Sequence, residues 1–334
     1  MLKILGDICF ADGYFDKGCG VGTAIANGAD PFSHLKREDT DFWIGNFECV
    51  CSKSQGDYFT ISPEILKSVK HLNLYGVANN HSMQIGNDGY RETIEHLKEN
   101  NIDFAGSNER RSTIFTHQGK KIGFMAFSMR PDNFSSSPLY WHIPELSEVE
   151  TEIKKINDCD FKIAFIHWGY EFINKPNLEQ KQLAHWLIDA GIDLVVGMHP
   201  HVSQGAEIYK GKYIFYSLGN TVFNMGWEPT KYGLMVNVDL SDEKVKVWSE
   251  YTQIGADYFP MIVDDVPKEF TRSHLDSLIE KTVENEIYFS QAREYTSQYT
   301  RANRKAVIRH MLKMPMREKI ALISDFVNRR FLKK

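Results

Sequence analysis

The chain has 334 residues, 42% of them hydrophobic and 25% charged, with a net charge of −5. That length supports one large domain or two with a full hydrophobic core, and the small acidic balance argues against nucleic acid as a general partner. Five cysteines, Cys9, Cys19, Cys49, Cys51 and Cys159, form no CxxC pair and no zinc-ribbon spacing, so they read as small, mostly buried thiols of a reduced, cytoplasmic protein.

The N-terminus, MLKILGDICFADG, has one lysine and a very short apolar run before Asp7 and Asp12. It does not read as a secretion signal, and no apolar stretch approaches the ~20 residues that span a bilayer. From here short apolar runs alternate with amphipathic stretches. KILGDICF, DFWIGNF and LNLYGVA read as strands. NDGYRETIEHLKENN then reads as a helix, with Tyr90, Ile94 and Leu97 at helical spacing and Asp88 as the expected N-cap. KIGFMAF and KIAFIHW are continuous apolar runs, as expected of strands covered on both faces.

NLEQKQLAHWLIDAG is a second helix. Asn177 caps its start, Leu183, Trp186 and Leu187 line one face, and Gly191 closes it. DLVVGM, YIFYSL and GLMVNVDL are further strands, and KVKVWSEYTQI is a more exposed, alternating one. The order of strands and helices predicts an α/β fold over residues 1–265.

Residues 266–334 have a different character. They read as helices broken near Pro315, with Thr271 or Ser273 capping the first. From Arg301 onward eleven lysines and arginines face only Glu318 and Asp325. This basic helical extension is either a solvated appendage, a clamp on the acidic body, or a contact for a partner protein or a membrane surface.

The chemistry gathers after the apolar runs. Asp7 follows Gly6, and Asn46 and Glu48 end the next run. Asn79, Asn80 and His81 follow the third. His167 and Glu171 sit in IHWGYE, and His199 and His201 flank Pro200 in GMHPH. Open α/β sheets bind ligands at the carboxyl ends of their strands, so these clusters are placed to converge on one edge. Each residue alone has an ordinary reading, as a turn cap or a hydrogen-bonded core histidine. Together, carboxylate, amide and imidazole donors on separate loops suit Mn, Fe or Zn. Two such ions ~4 Å apart clamp a phosphoryl group in hydrolytic centres.

The GD, NFE, ANNHSMQIGNDGY, HWGYEF and GMHPHVSQGAEIYKGKYIFYSLGNTVF blocks resemble the CapA family, the poly-gamma-glutamate capsule biosynthesis group of the calcineurin-like metallophosphoesterase superfamily. The resemblance covers Met1 to about Leu240 and leaves the helical extension outside. It implies an αββα sandwich with one or two divalent metal ions at the sheet edge. By motif, Asp7, Glu48, Asn80, His167, His199 and His201 match metal ligands, with Glu48 at the bridging position. His81 matches the histidine that acts on the substrate. Glu171, Asn46 and Asn79 fall where they would support the ligands from behind. Cys9 stands where the wider superfamily has a histidine, so one metal is expected to be held by fewer ligands.

The resemblance implies hydrolysis of a small-molecule or polymer phosphoester in making a capsule, polyglutamate or another surface polymer. The alternative is a non-hydrolytic, polymer-handling accessory that docks on a synthesis partner through the basic helices. The expected place is the cytoplasm, with a peripheral position at the membrane surface allowed by the same helices. Phe223, Trp227 and Tyr232 are either a substrate wall or ordinary loop packing.

Overall fold

Every apolar or alternating run named above forms a strand in the computed structural model, which describes residues 1–13, 16–54, 58–281 and 285–331. In chain order the strands are β1 (Leu2–Ile8), β2 (Phe42–Phe47), β3 (Val50–Cys51), β4 (Thr60–Ile61), β5 (Leu74–Gly76), β6 (Asp103–Ala105), β7 (Ser112–His117) and β8 (Lys120–Ser128). Next come β9 (Phe161–His167), β10 (Leu194–Met198), β11 (Ala206–Tyr209), β12 (Lys212–Phe215), β13 (Asn220–Val222), β14 (Tyr232–Asp239), β15 (Lys246–Ile254) and β16 (Pro260–Val263). The helices are α1 (Val21–Ala26), α2 (Pro63–Ser68), α3 (Gly86–Glu99), α4 (Leu146–Lys155), α5 (Leu178–Asp189), α6 (Arg272–Ile279), α7 (Asn285–Met311) and α8 (Met316–Phe331).

Two sheets carry the fold. One runs β16-β15-β14-β1-β2-β5-β6, with β13 also paired to β1, and the other runs β11-β12-β10-β9-β8-β7. Within the first, β1, β2, β5 and β6 are parallel neighbours. Within the second, β8, β9, β10 and β12 are. The sheets pack face to face through Leu2, Ile4, Ile44 and Leu74 on one side and Phe124, Ile163 and Val196 on the other. Outside the first sheet, α1, α2 and α3 bury Val21, Leu66 and Leu97. Outside the second, α4 and α5 bury Val149, Ile153, Leu187 and Ile188. The result is four layers, αββα. Strands of the inner layers are covered on both faces, which is why β10 is buried at every position.

The helix signals behave unequally. Asn177 caps α5 in a reciprocal box: its Oδ1 accepts from Gln180 N at 2.7 Å, and Gln180 Oε1 accepts from Asn177 N at 3.0 Å. Gly191 follows in the left-handed region at φ +108°. Thr271 caps α6, accepting from His274 N at 3.4 Å. Asp88 does not cap α3. That helix starts at Gly86 with Ile85 at the cap, and Asp88 lies in the first turn. A carboxylate there still favours the helix by facing its positive dipole end. The strands that escaped the sequence reading are short, such as β6 and β13, or lie at sheet edges, such as β7, β11 and β16.

The sheet-forming part ends with β16, and the helices that follow pack on it. Leu275 and Ile279 of α6 are buried, and a Cβ on Gly205 would lie 2.5 Å from Leu275 O. Tyr288 of α7 donates to Lys175 O at 3.1 Å. Tyr299 stacks on Phe172 with centroids 4.2 Å apart. Pro315, in the turn before α8, closes on Gly18.

The loop after β1 carries a buried carboxylate. Asp16 accepts from Gly13 N and Asn224 Nδ2, both at 2.6 Å. Burial pushes its pKa up to about 7, with the nearby Asp12 charge adding to the rise. A carboxyl whose folded pKa is raised binds its proton better in the native state. Its contribution to stability is therefore full at pH below about 4 and is lost as pH rises through about 7. Under chelating conditions, Asp16→Asn should lose less stability than wild type across that interval in denaturant titrations. Equal losses would remove Asp16 as the cause.

Candidate metal centre

The parallel strands deliver their carboxyl ends to one edge of the sandwich. β1 brings Asp7 there, held by Asp7 N donating to Gly219 O at 2.9 Å. β2 brings Asn46 and, one residue past its end, Glu48. The turn after β5 brings Asn79, Asn80 and His81, β9 ends in His167, and the loop after β10 carries His199 and His201. Two glycines make this crossing of strands possible. A Cβ on Gly6 would sit 2.0 Å from Gly219 O, and one on Gly197 would sit 2.0 Å from Tyr216 O.

Six expected ligands meet. Asp7, Glu48, His199 and His201 are at most 1% exposed, and His167 and Asn80 are buried beside them. His167 Nε2 lies 2.6 Å from Asn80 Oδ1 and 3.7 Å from Glu48 Oε1. His201 Nδ1 lies 3.5 Å from Asp7 Oδ2, and its Nε2 lies 3.6 Å from Glu48 Oε1. The His167 and His199 rings are 4.6 Å apart. Two triads have donor atoms within 4.8 Å of one another: Glu48 with His199 and His201, and Asp7 with Glu48 and His167. Glu48 belongs to both. His199 and His201 have positive φ, +98° and +58°. That backbone is costly for a residue with a side chain and persists only where surrounding structure holds it.

Asn46 ties the cluster together. Its Nδ2 donates to Asp7 Oδ1 at 2.8 Å and Glu48 Oε2 at 3.2 Å, and lies 3.3 Å from His167 Nδ1. Asn79 Nδ2 donates in turn to Asn46 Oδ1 and to Phe47 O. Glu171 is placed differently. Among the described residues no imidazole donates to its carboxylate; burial pushes its pKa up, and the Arg130 charge pulls it back.

The electrostatics fit a cation. Burial pushes Asp7 up to about 6, and burial together with the Asp7 charge pushes Glu48 well above the carboxylate range. Burial, with the neighbouring positive groups, holds His167 and His199 well below their usual value and brings His201 down to about 3. Neutral imidazole is the metal-binding form. Among the described residues Glu48 Oε1 and both ring nitrogens of His199 are buried with no hydrogen-bond partner. Buried polar atoms are rarely left so, and a divalent ion between them would take Glu48 Oε1 and one ring nitrogen of His199. Oxygen donors mixed with imidazoles suit a divalent metal ion. Cys9, also buried, lies beside this cluster and lines a cavity of about 140 Å³ with Asp12, Phe59, Phe223, Tyr299 and Asn303.

His81 stands at the edge of the cluster. Its Nδ1 pairs with Gln84 Oε1 at 2.9 Å, and Phe59 stacks on the ring at 3.7 Å. Burial lowers its pKa to about 4. Several neighbours were not singled out from sequence. Asn220 Oδ1 lies 2.9 Å from His201 Nδ1, and it closes the SLGN run already quoted. Arg130 follows the end of β8, stacks over Tyr170 at 4.8 Å, and its charge bears on His167 and His199. Phe223 packs on His201 at 4.7 Å, whereas Trp227 packs on Phe172 and Tyr232 on Phe270. Of the three aromatics weighed as a wall, only Phe223 touches the cluster.

Four layers, αββα, with carboxylate, amide and imidazole donors at the strand ends of both sheets, define an α/β sandwich with a candidate metal centre at its edge. The chain belongs to the family described as "Bacterial capsule synthesis protein PGA_cap", which matches residues 2–225. It is 32% identical over 232 residues to the "Capsule biosynthesis protein CapA" of Bacillus anthracis, covering 61% of this chain and 56% of that protein. It is 33% identical over 228 residues to the "PGA biosynthesis protein CapA" of Bacillus subtilis (strain 168), covering 60% and 58%. The chain thus matches a little over half the length of these curated relatives. Among solved structures, a phosphatase of Mycoplasma pneumoniae shares 15% identity and a TM-score of 0.46, over 79% of this chain and 94% of that one.

Proposed function

We propose that the chain is a metal-dependent hydrolase that cleaves a phosphoester in the making of a capsule, polyglutamate or another surface polymer. The observation that supports this most is the set of buried, partnerless donor atoms on Glu48 and His199 amid neutral imidazoles. Asp7, Glu48, Asn80, His167, His199 and His201 would hold one or two ions of Mn, Fe or Zn, and Asn46 and Asn79 keep the carboxylates and amides in place. When bound, such ions supply Lewis acidity to a phosphoryl oxygen. His81 has one ring nitrogen engaged by Gln84 and the other left for the substrate, where it transfers a proton to the leaving oxygen. An anionic phosphoryl group beside it favours the protonated ring that this step needs. Phe59 and Phe223 shield the reacting atoms from water.

A second reading is a non-hydrolytic accessory of polymer synthesis. Cys9 favours it, because a thiol replaces an imidazole on the Asp7 side of the cluster. The test loads the protein with Mn²⁺, measures metal content, and assays an aryl phosphate and a phosphodiester. The hydrolase should turn over one of them, and His81→Asn should lower kcat by roughly 10²- to 10⁴-fold with metal content unchanged. Metal-loaded protein without turnover on either substrate class leaves the accessory reading standing.

A further inference from the structure

The family match stops at residue 225 and the sheets at Val263, so neither accounts for α7 and α8. One face of this helical pair is committed to the body: Tyr288, Ala306 and Met314 are buried, and Tyr299 lies on Phe172. The other face is open and apolar. Leu312 is 87% exposed, Ile308 70% and Met316 68%, with Ile320 and Ile323 more than half exposed. These are among the most exposed large apolar side chains described in the protein. Ile308 and Ile323 also line a groove of about 610 Å³ between the two helices, so the apolar residues of α7 and α8 meet in one surface.

The same open face is basic. Arg301, Arg304, Lys305, Arg309, Lys313 and Arg317 are all exposed. At 100° per residue, Arg301, Lys305 and Ile308 fall within one 60° sector of α7, with Arg304 and Arg309 at its margins, and Leu312 follows in the turn just past the helix end. Residues 301–334 carry eleven basic and two acidic residues within a chain whose net charge is −5. Glu318, one of the two, pairs with Lys17 of the body at 3.8 Å.

We propose that the outward face of the α7–α8 pair docks on an anionic lipid surface, so that the protein is peripheral to a membrane. Long basic side chains bordering isoleucine and leucine suit the boundary between headgroups and acyl chains, where the stems lie among apolar groups and the charges reach phosphates. A nucleic-acid phosphate backbone needs the charges but not the exposed apolar sector. A second copy would bring two strongly basic faces together, and like charges oppose that contact. No helix among the described residues is long and apolar enough to cross a membrane, and α7 and α8 would make their contact by lying on the surface. The proposal is independent of whether the metal centre hydrolyses anything.

The test sediments the full chain with vesicles of phosphatidylcholine alone or mixed with phosphatidylglycerol. Binding should require the anionic lipid and weaken with salt. Arg304→Glu with Arg309→Glu should weaken it at least tenfold. Leu312→Ser with Ile320→Ser should weaken it comparably at low salt. Both double variants alter exposed positions and should keep wild-type circular dichroism and metal content. Three results would overturn the proposal: no sedimentation with anionic vesicles, binding unchanged in the apolar variant, or equal competition by a DNA duplex. Self-association in sedimentation velocity that Leu312→Ser abolishes would instead assign the face to a second copy.

Discussion

Glu48→Gln should strip the protein of most of its bound metal and lower any hydrolytic turnover by about a thousandfold, the scale of several kcal/mol of lost charge stabilisation. Glutamine keeps the shape and the contact with Asn46, which lies 3.2 Å from Glu48 Oε2. It removes the negative charge and the ligand common to both donor triads. The effect on stability should reverse with metal. In metal-free protein the Glu48 carboxyl is raised well above its usual value by burial and by Asp7. Its contribution is therefore lost as pH rises, and at neutral pH the neutral side chain is the less costly one to bury. Metal-free Glu48→Gln should then melt above metal-free wild type, while added Mn²⁺ should raise wild type and leave the variant nearly unmoved. Thermal melts with and without chelator, together with elemental analysis, read both. Wild-type metal content in the variant, with turnover within tenfold, would remove Glu48 from the centre.

Gly197→Ala should be the most damaging single-methyl change near the site. The added Cβ would lie 2.0 Å from Tyr216 O and 2.2 Å from Trp168 Nε1, which are themselves joined by a 2.8 Å hydrogen bond. Both atoms belong to buried, tightly packed residues, so neither can move away without breaking that bond. Overpacking and a lost buried hydrogen bond together cost about 3 kcal/mol or more. For a chain of this size that lowers Tm by roughly 4–5 °C or more. His199 lies two residues further on, so metal affinity should fall as well. A calorimetric Tm equal to wild type would show that β10 and β12 have room that the geometry denies.

Periodicity was a good guide where covering layers acted on long stretches. β9 and β10 are apolar throughout because helices cover one face of their sheet and the other sheet covers the second. Asn177 announced α5 because the cap is a local contact, made with Gln180 three residues on. Asp88 misled for the same local reason. An aspartate near a helix start suits both the cap and the first turn, and the chain entered α3 through Gly86 at φ +80°. Strands of two or three residues, such as β3 and β13, carry no period, and their pairing with β4 and β1 depends on segments distant in sequence.

The residue types after each apolar run were enough to nominate Asp7, Glu48, Asn80, His81, His167, His199 and His201, because donor chemistry is a property of the side chain. Their meeting at one point is not local. Asp7 and His199 are 192 residues apart, and the 3.1 Å bond from His199 N to Asp7 Oδ2 exists only because β1 and β10 end at the same edge of two packed sheets. Arg130 and Tyr299 had no motif to mark them; position alone gives them their place, one beside the imidazoles and one over the cavity beside Cys9. The excess of basic residues after Arg301 was plain in composition, since charge is additive along a chain. Which side of α7 stays open was decided by packing, when Tyr288 and Tyr299 turned toward the body and left Ile308, and Leu312 just past the helix end, to the solvent.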